Sequence, residues 1–319
     1  MNQKVLVAST NFSKYCMEAK QLLESSGFDI VENTLGRPLA FEDLAPLVPD
    51  IFGVIAGVDV WNEELFRLAP GLRVLTRFGV GFDNFDLVAA KRHGIQACNA
   101  RAMNANSVAE SAVAMILNAM KSIPHLTDSL REGEWERFVG QELTGKTVGL
   151  LGFGAIGQRV AKMLQGFDVQ LYAYDKYPSR DTAEQYRVTL TDAGTLLKTS
   201  DVVSMHLPSL PETRHFMNRE TFGLMKDGSY FVNTARGAVV DEAALLEAVK
   251  SGKLRGVSLD VYEEEPAKAS NPLFHLPNVF CTPHIAAETT ETYRRISLCC
   301  ARQIIAVANG QTPDSLLNP

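Results

Sequence analysis

At 319 residues the chain is long enough for two domains, because single hydrophobic cores usually stop growing before that length. Its composition, 46% hydrophobic and 21% charged with a net charge of −6, is that of an ordinary soluble globular protein. It argues against a nucleic-acid partner, which requires a concentrated excess of Lys and Arg. No apolar run reaches the roughly 20 residues of a membrane span, and MNQKVLVAST lacks the charged start, apolar core and cleavage site of a signal peptide. The five cysteines (Cys16, Cys98, Cys281, Cys299, Cys300) are scattered, with neither CxxC nor metal-ligand spacing. They read as reduced thiols of a cytoplasmic protein that holds no metal.

The first hundred residues alternate strand-like and helix-like runs: KVLVAS, YCMEAKQLLESSG, IFGVIAG, NEELFRLA, RVLTRFG, FDLVAAKRHG and IQACNA. Such alternation predicts a parallel sheet covered by crossover helices. From Asn104 a long apolar helical pattern, SVAESAVAMILNAMKSI, opens a second unit near residue 100. There the alternation continues through TVGLLG, AIGQRVAKMLQGF, DVQLYAYD, AGTLLKTS, DVVSMHL and GSYFVNTA. It runs on through a helix N-capped by Asp241 with Gly252 near its end, then RGVSLDV and NVFCTP. A last helix is expected from about Glu288 to Asn309.

GLLGFGAIGQRVA places Gly152, Gly154 and Gly157 in GxGxxG spacing after one strand and before a helix, with Asp175 closing the next strand. The first glycine permits the tight turn, the second lets a pyrophosphate approach the backbone, and the third lets helix pack on strand. The helix N-terminus then faces the phosphates. An acidic side chain at 175 accepts bonds from ribose hydroxyls and repels a 2′-phosphate, favouring NAD; Lys176 and Arg180 nearby leave NADP open. His206 in HLP, at a strand end, is read as a wall of the cofactor site.

Reducing a keto acid needs a proton donor and a cation. Candidates at strand ends are Arg236 in NTARGAVV, Glu265 in VSLDVYEEEP and His284 in CTPHIAAET. Read alone, each has an ordinary alternative: a turn arginine, a solvated glutamate run, a capping histidine. Glu263 and Glu264 are taken as solvated, and His93, His125, His215 and His275 as surface residues. Asp83 reads equally as a turn residue, and Trp61 and Trp135 as packing or interface residues.

The stretches RFGVGFDNFDL, NANSVAE, LLGFGAIGQRVA, HLPSLPETRHFMN, NTARGAVVDEAAL, LDVYEEEP and TPHIAAET together resemble the D-isomer-specific 2-hydroxyacid dehydrogenases, most closely their phosphoglycerate-dehydrogenase-like branch. The resemblance implies an α/β protein of two doubly wound parallel-sheet domains. A Rossmann nucleotide domain (100–284) is inserted into a flavodoxin-like substrate domain (1–99 and 285–319). It implies Arg236, Glu265 and His284 as the catalytic set, Asp260 on the nicotinamide amide, and backbone N–H groups at Val80 and Gly81 receiving the substrate carboxylate. By the same resemblance Ala155, Ile156, Leu207, Pro208, Thr213, Thr234, Ala235 and Ala286 line the NAD site.

Phosphoglycerate-using relatives surround the phosphate with cations, whereas AGVDVWNEE (56–64) offers Asp59, Glu63 and Glu64. NARAMNANS departs from the relatives' Pro-Gly turn and carries Arg101, which with Arg77 is expected to bind a second anionic group. The resemblance implies an NAD-dependent oxidoreductase that transfers a hydride between nicotinamide and a D-2-hydroxy or 2-keto acid, with 3-phosphoglycerate among the candidates. The alternatives are a hydroxypyruvate or glyoxylate reductase, or an NAD-sensing corepressor-like protein; formate-type chemistry would want glutamine in place of Glu265. No regulatory module is expected beyond Pro319. The apolar helix from about Asn106 is expected to form a homodimer interface.

Overall fold

The computed structural model describes residues 2–319. The chain divides into two compact units, Met1–Asn104 with Glu288–Pro319, and Ala105–Ala287. In the first, five strands, β1 (Gln3–Val7), β2 (Phe28–Glu32), β3 (Ile51–Ala56), β4 (Val74–Arg77) and β5 (Gln96–Asn99), pair in parallel in the order β2-β1-β3-β4-β5. This is the flavodoxin-like order. The inner strands carry apolar runs, Val5–Val7, Val54–Ala56 and Val74–Leu75, because both faces are covered there. Leu6, Val54 and Leu75 pack with Trp61, Leu65, Phe66 and Ala89; Val5, Val7, Ile55 and Val74 pack with Ile296, Cys300, Ala301 and Ile304 of the last helix. That helix spans Thr290–Ala308, capped by the Thr289 side chain on the Thr292 N–H.

The second unit holds β6 (Thr147–Leu151), β7 (Gln170–Tyr174), β8 (Val188–Leu190), β9 (Val202–Met205), β10 (Ser229–Asn233), β11 (Leu254–Leu259) and β12 (Val279–Cys281). Their order is β12-β11-β10-β9-β6-β7-β8, all parallel. The chain moves outward from β6 to β8, then returns to β9 on the other side of β6. The carboxyl ends of β6 and β9 therefore flank the topological switch point, where open α/β sheets bind ligands.

The apolar helix over Ala105–Lys121, expected to form an interface, packs its buried face inside its own unit. Ala109, Ala112, Met115, Ile116 and Met120 are buried against Val148, Tyr230 and Val232 of the same unit, and the Ser258 hydroxyl donates to the Met115 carbonyl at 2.9 Å. The exposed apolar side chains lie just beyond it: Ile123, Leu130, Trp135 (83% exposed) and Val139. Trp61, by contrast, is buried and stacked on Phe66. Among the described residues no helix is long and apolar enough to cross a membrane, no His/Cys/Asp/Glu group could hold a metal, and the five thiols are unpaired.

Candidate active site

The nucleotide fingerprint is built as its spacing demands. Gly152 leaves β6 with φ +103, and a Cβ there would stand 2.6 Å from the His206 carbonyl carbon. Gly157 brings the helix Ala155–Leu164 so close that a Cβ would meet the Gly152 oxygen at 2.2 Å. Gly154 caps that helix, and its Cβ would meet nothing within 4 Å, leaving open space before the helix N-terminus. Ala155 is exposed and Ile156 half-buried at this end. Asp175 accepts from the Phe153 N–H at 2.7 Å through one oxygen and from the Tyr177 N–H at 2.8 Å through the other. Each carboxylate oxygen keeps a lone pair for a ribose hydroxyl.

Across the switch point both nitrogens of His206 are buried without a protein partner, as is the Thr234 hydroxyl. Burial pushes the His206 imidazole down to about 4, so it is neutral near pH 7. Buried polar atoms normally have partners, so these orphans at neighbouring strand ends fit a ligand such as NAD. Thr213 is engaged elsewhere. Its hydroxyl donates to the Pro208 carbonyl at 2.6 Å and accepts from the Leu210 N–H at 2.8 Å, fixing the loop after Leu207. Gly152→Ala is expected to raise the NADH Kd by about 100-fold or more in a fluorescence titration, because an L side chain is strained at this φ and the Cβ collides with backbone.

The residues expected to react stand on the loops that follow β10, β11 and β12, three adjacent strands. Asn233 organises the first: its Nδ2 donates to the Arg236 carbonyl at 2.9 Å, its Oδ1 accepts from the Ala235 N–H at 3.0 Å, and its carbonyl accepts from the Asp260 N–H at 3.0 Å. Arg236 Nη1 donates to the Ala235 carbonyl at 2.7 Å. Asp260 is 1% exposed. One of its oxygens accepts from the Thr282 hydroxyl (2.6 Å) and the Ile285 N–H (2.8 Å), the other from the Ala286 N–H (2.9 Å). Its carbonyl accepts from the His284 N–H at 2.8 Å. This carboxylate, expected on the nicotinamide amide, ties down the 282–286 loop and so fixes the backbone that carries His284.

His284 adopts φ +54, which turns its ring toward Glu265: Nδ1 lies 2.6 Å from Oε2. The other carboxylate oxygen accepts from the Tyr262 N–H at 2.9 Å. Burial by itself would raise the Glu265 carboxyl; the hydrogen bond and charge of His284, the Tyr262 amide and the Arg236 charge outweigh it and hold the group below the ordinary carboxylate range. Glu265 is therefore ionised near pH 7. A carboxylate on Nδ1 orients the ring and leaves Nε2 as the nitrogen open to a substrate.

One neighbour and one side-chain pair escaped the sequence reading. Gly237 is buried directly against the Tyr262–Glu263 peptide, where a Cβ would lie 1.9 Å from the Tyr262 carbonyl carbon. Glu263, expected to be solvated, and His215, expected to be a plain surface residue, form a pair at 2.5 Å. Glu264 does stay at the surface, paired with Lys268 at 2.7 Å.

In the first unit, the Gly79 carbonyl accepts from the Ala100 N–H at 2.8 Å and the Val80 carbonyl from Asn99 Nδ2 at 2.6 Å. The N–H groups of Val80 and Gly81 donate to nothing among the described residues. Arg77 Nη1 donates to the Phe78 carbonyl at 2.6 Å, and Arg101 is exposed in the turn before Ala105. Asp59 is buried, bonded to the Trp61 Nε1–H at 2.6 Å and the Gly57 N–H at 3.1 Å, and burial raises its pKa.

Residues 113–286 match the family model described as D-isomer specific 2-hydroxyacid dehydrogenase, NAD binding domain. The chain belongs to this family. Its second unit carries the family's NAD-binding domain, consistent with the open glycine cradle and the orphaned His206 and Thr234. A family member from Archaeoglobus fulgidus, a D-3-phosphoglycerate dehydrogenase, is 40% identical over 96% of the chain, which spans only 58% of that relative's length. The hydroxypyruvate reductase of Thermotoga maritima is 41% identical over 88% of the chain and 92% of its own length. The apo-structure of D-lactate dehydrogenase from Escherichia coli superposes with a TM-score of 0.88 at 31% identity, covering 99% of each chain.

Proposed function

We propose that the chain is an NAD-dependent oxidoreductase that interconverts a D-2-hydroxy acid and the corresponding 2-keto acid. The observation that carries this reading is the 2.6 Å contact between His284 Nδ1 and Glu265, at the carboxyl end of the same sheet whose β6 leads into a complete dinucleotide fingerprint. When bound, the dinucleotide supplies the hydride that adds to the carbonyl carbon. His284 Nε2 gives its proton to the carbonyl oxygen and recovers one in the reverse direction. Glu265 holds the opposite nitrogen and compensates the imidazolium charge, and Arg236 binds the substrate carboxylate and polarises the carbonyl. The unpaired N–H groups of Val80 and Gly81 suit them to receive a carboxylate, and Asn99 turns the intervening carbonyl away from it.

The side chains beside that turn favour an unphosphorylated substrate. Asn84 Nδ2 donates to the Asp59 carbonyl at 2.6 Å and so ties the 57–60 stretch to the 80–84 turn. Val58 (58% exposed), Val60 (61%) and Phe82 (39%) are displayed there. Three apolar side chains solvate a phosphate poorly. Glyoxylate and hydroxypyruvate are therefore expected to be reduced with kcat/KM at least about 10-fold above 3-phosphohydroxypyruvate, followed by NADH absorbance. Arg101→Ala should change all three about equally. A preference for the phosphorylated acid that vanishes in Arg101→Ala would reverse this assignment and restore the second anion site at Arg101 and Arg77.

The exposed apolar set Ile123, Leu130, Trp135 and Val139 supports a homodimer formed through residues 123–139. Unpaired thiols support a cytoplasmic setting.

A further inference from the structure

Two histidines grip alternate members of one glutamate run. Glu265 is held by His284, and Glu263 by His215, whose Nε2 lies 2.5 Å from the Glu263 carboxylate. Both histidines have left-handed backbones, φ +54 at 284 and φ +49 at 215. A residue with a Cβ is disfavoured in that region, where glycine costs nothing, so a histidine kept there points to a role for its side chain.

What His215 does follows from its connections. Its N–H donates to the Ala238 carbonyl at 2.9 Å, its carbonyl accepts from Asn218 Nδ2 at 3.1 Å, and its ring reaches the loop after β11. Glu263 is also tied to the helix that starts at Glu242. The Glu263 N–H donates to Glu242 Oε1 at 2.7 Å, Glu263 Oε2 accepts from the Glu242 N–H at 3.3 Å, and Asn271 Nδ2 donates to Glu242 Oε2 at 2.9 Å. Since Tyr262 lends its N–H to Glu265, any slack at Glu263 passes directly to the carboxylate that orients His284.

We infer that His215 and Glu263 are positioning residues: the hydrogen bond between their side chains clamps the 262–266 loop to the loop after β9, and so fixes where the Glu265 carboxylate meets His284. The inference rests on the assignment of Glu265 and His284 given under the proposed function. The pair touches no reacting group, and its effect is on geometry alone.

His215→Gly separates this role from a purely structural one, because glycine relieves the backbone while removing the clamp. The expected result is a kcat about 10-fold lower, with melting temperature at or above that of the unsubstituted protein and with NADH Kd and keto-acid KM within about 2-fold. His215→Asn, which tolerates the same backbone but is too short to reach Glu263, should behave alike. Glu263→Gln still accepts a hydrogen bond from the imidazole and should lose less. The double variant that combines His215→Gly with Glu263→Gln should be no worse than His215→Gly alone, since both changes remove one interaction. Unchanged kcat in His215→Gly, or a loss confined to NADH affinity, would overturn the inference. Glu265→Gln is measured alongside: full activity there would instead reject the proposed function, whereas an inactive Glu265→Gln beside an active His215→Gly would reject the clamp alone.

Discussion

Replacing His284 with glutamine is expected to lower kcat by about 10²–10⁴-fold, the range a positioned general acid contributes, while NADH Kd stays within about 2-fold. Glutamine can still hydrogen-bond Glu265 and fill the volume, so the loop held by Asp260 should keep its place. It cannot carry a proton to the carbonyl oxygen. The separation of the two readouts matters, because His284 stands on the same strand ends as the cofactor cradle, and a general disturbance would weaken both. Single-turnover reduction followed by NADH absorbance, with a parallel fluorescence titration, makes the comparison. Retention of most of the single-turnover rate would remove His284 from the chemistry.

Gly237→Ala is expected to abolish activity nearly as completely, for a purely steric reason. The new Cβ would sit 1.9 Å from both the carbon and the oxygen of the Tyr262 carbonyl and 2.4 Å from the Glu263 nitrogen. All three are backbone atoms, so no side chain can rotate away. Either the Arg236–Gly237 segment or the 262–265 loop must move, and each carries a residue of the proposed reacting set, Arg236 or Glu265. A kcat loss of about 100-fold or more is expected from displacement on the ångström scale. Forced overpacking should also cost about 1–3 kcal/mol of stability, visible in a thermal melt. Gly166→Ala is the control: its Cβ meets nothing within 4 Å, so activity and melting temperature should stay near their original values. An active Gly237→Ala protein would mean that the two loops are less tightly joined than their contact implies.

The legible parts of the molecule are those whose signal is local. Strands such as β1 and β3 show through the apolar runs Val5–Val7 and Val54–Ala56, covered on both faces, and the GxGxxG turn shows because each glycine answers a backbone demand. β2 and β8 did not show. Each lies at a sheet edge, is partly exposed, and reads as mixed polarity, FDIVE and VTL. The composition of the helix Ala105–Lys121 announced burial without saying against what; its apolar face is used within its own unit.

At the site, residue chemistry singled out Arg236, Glu265 and His284, but their joint role came through the family resemblance. Spacing alone cannot bring positions 265 and 284 to 2.6 Å. The His215–Glu263 pair joins residues 48 apart in sequence, and nothing local to EEEP distinguishes the clamped glutamate from the solvated one beside it. Asn99 and Gly237 were missed for the same reason. One serves a carbonyl 19 residues away, the other makes room for a peptide from a different loop, and in sequence they are an ordinary strand-end asparagine and a turn glycine.

The most direct measurement is isotopic. Reduction of hydroxypyruvate with NADH deuterated at the transferred position of the nicotinamide, followed by mass spectrometry and chiral chromatography of the product, is predicted to give the D-hydroxy acid with one deuterium on C2. A product without that deuterium, or with the opposite configuration, would contradict the account.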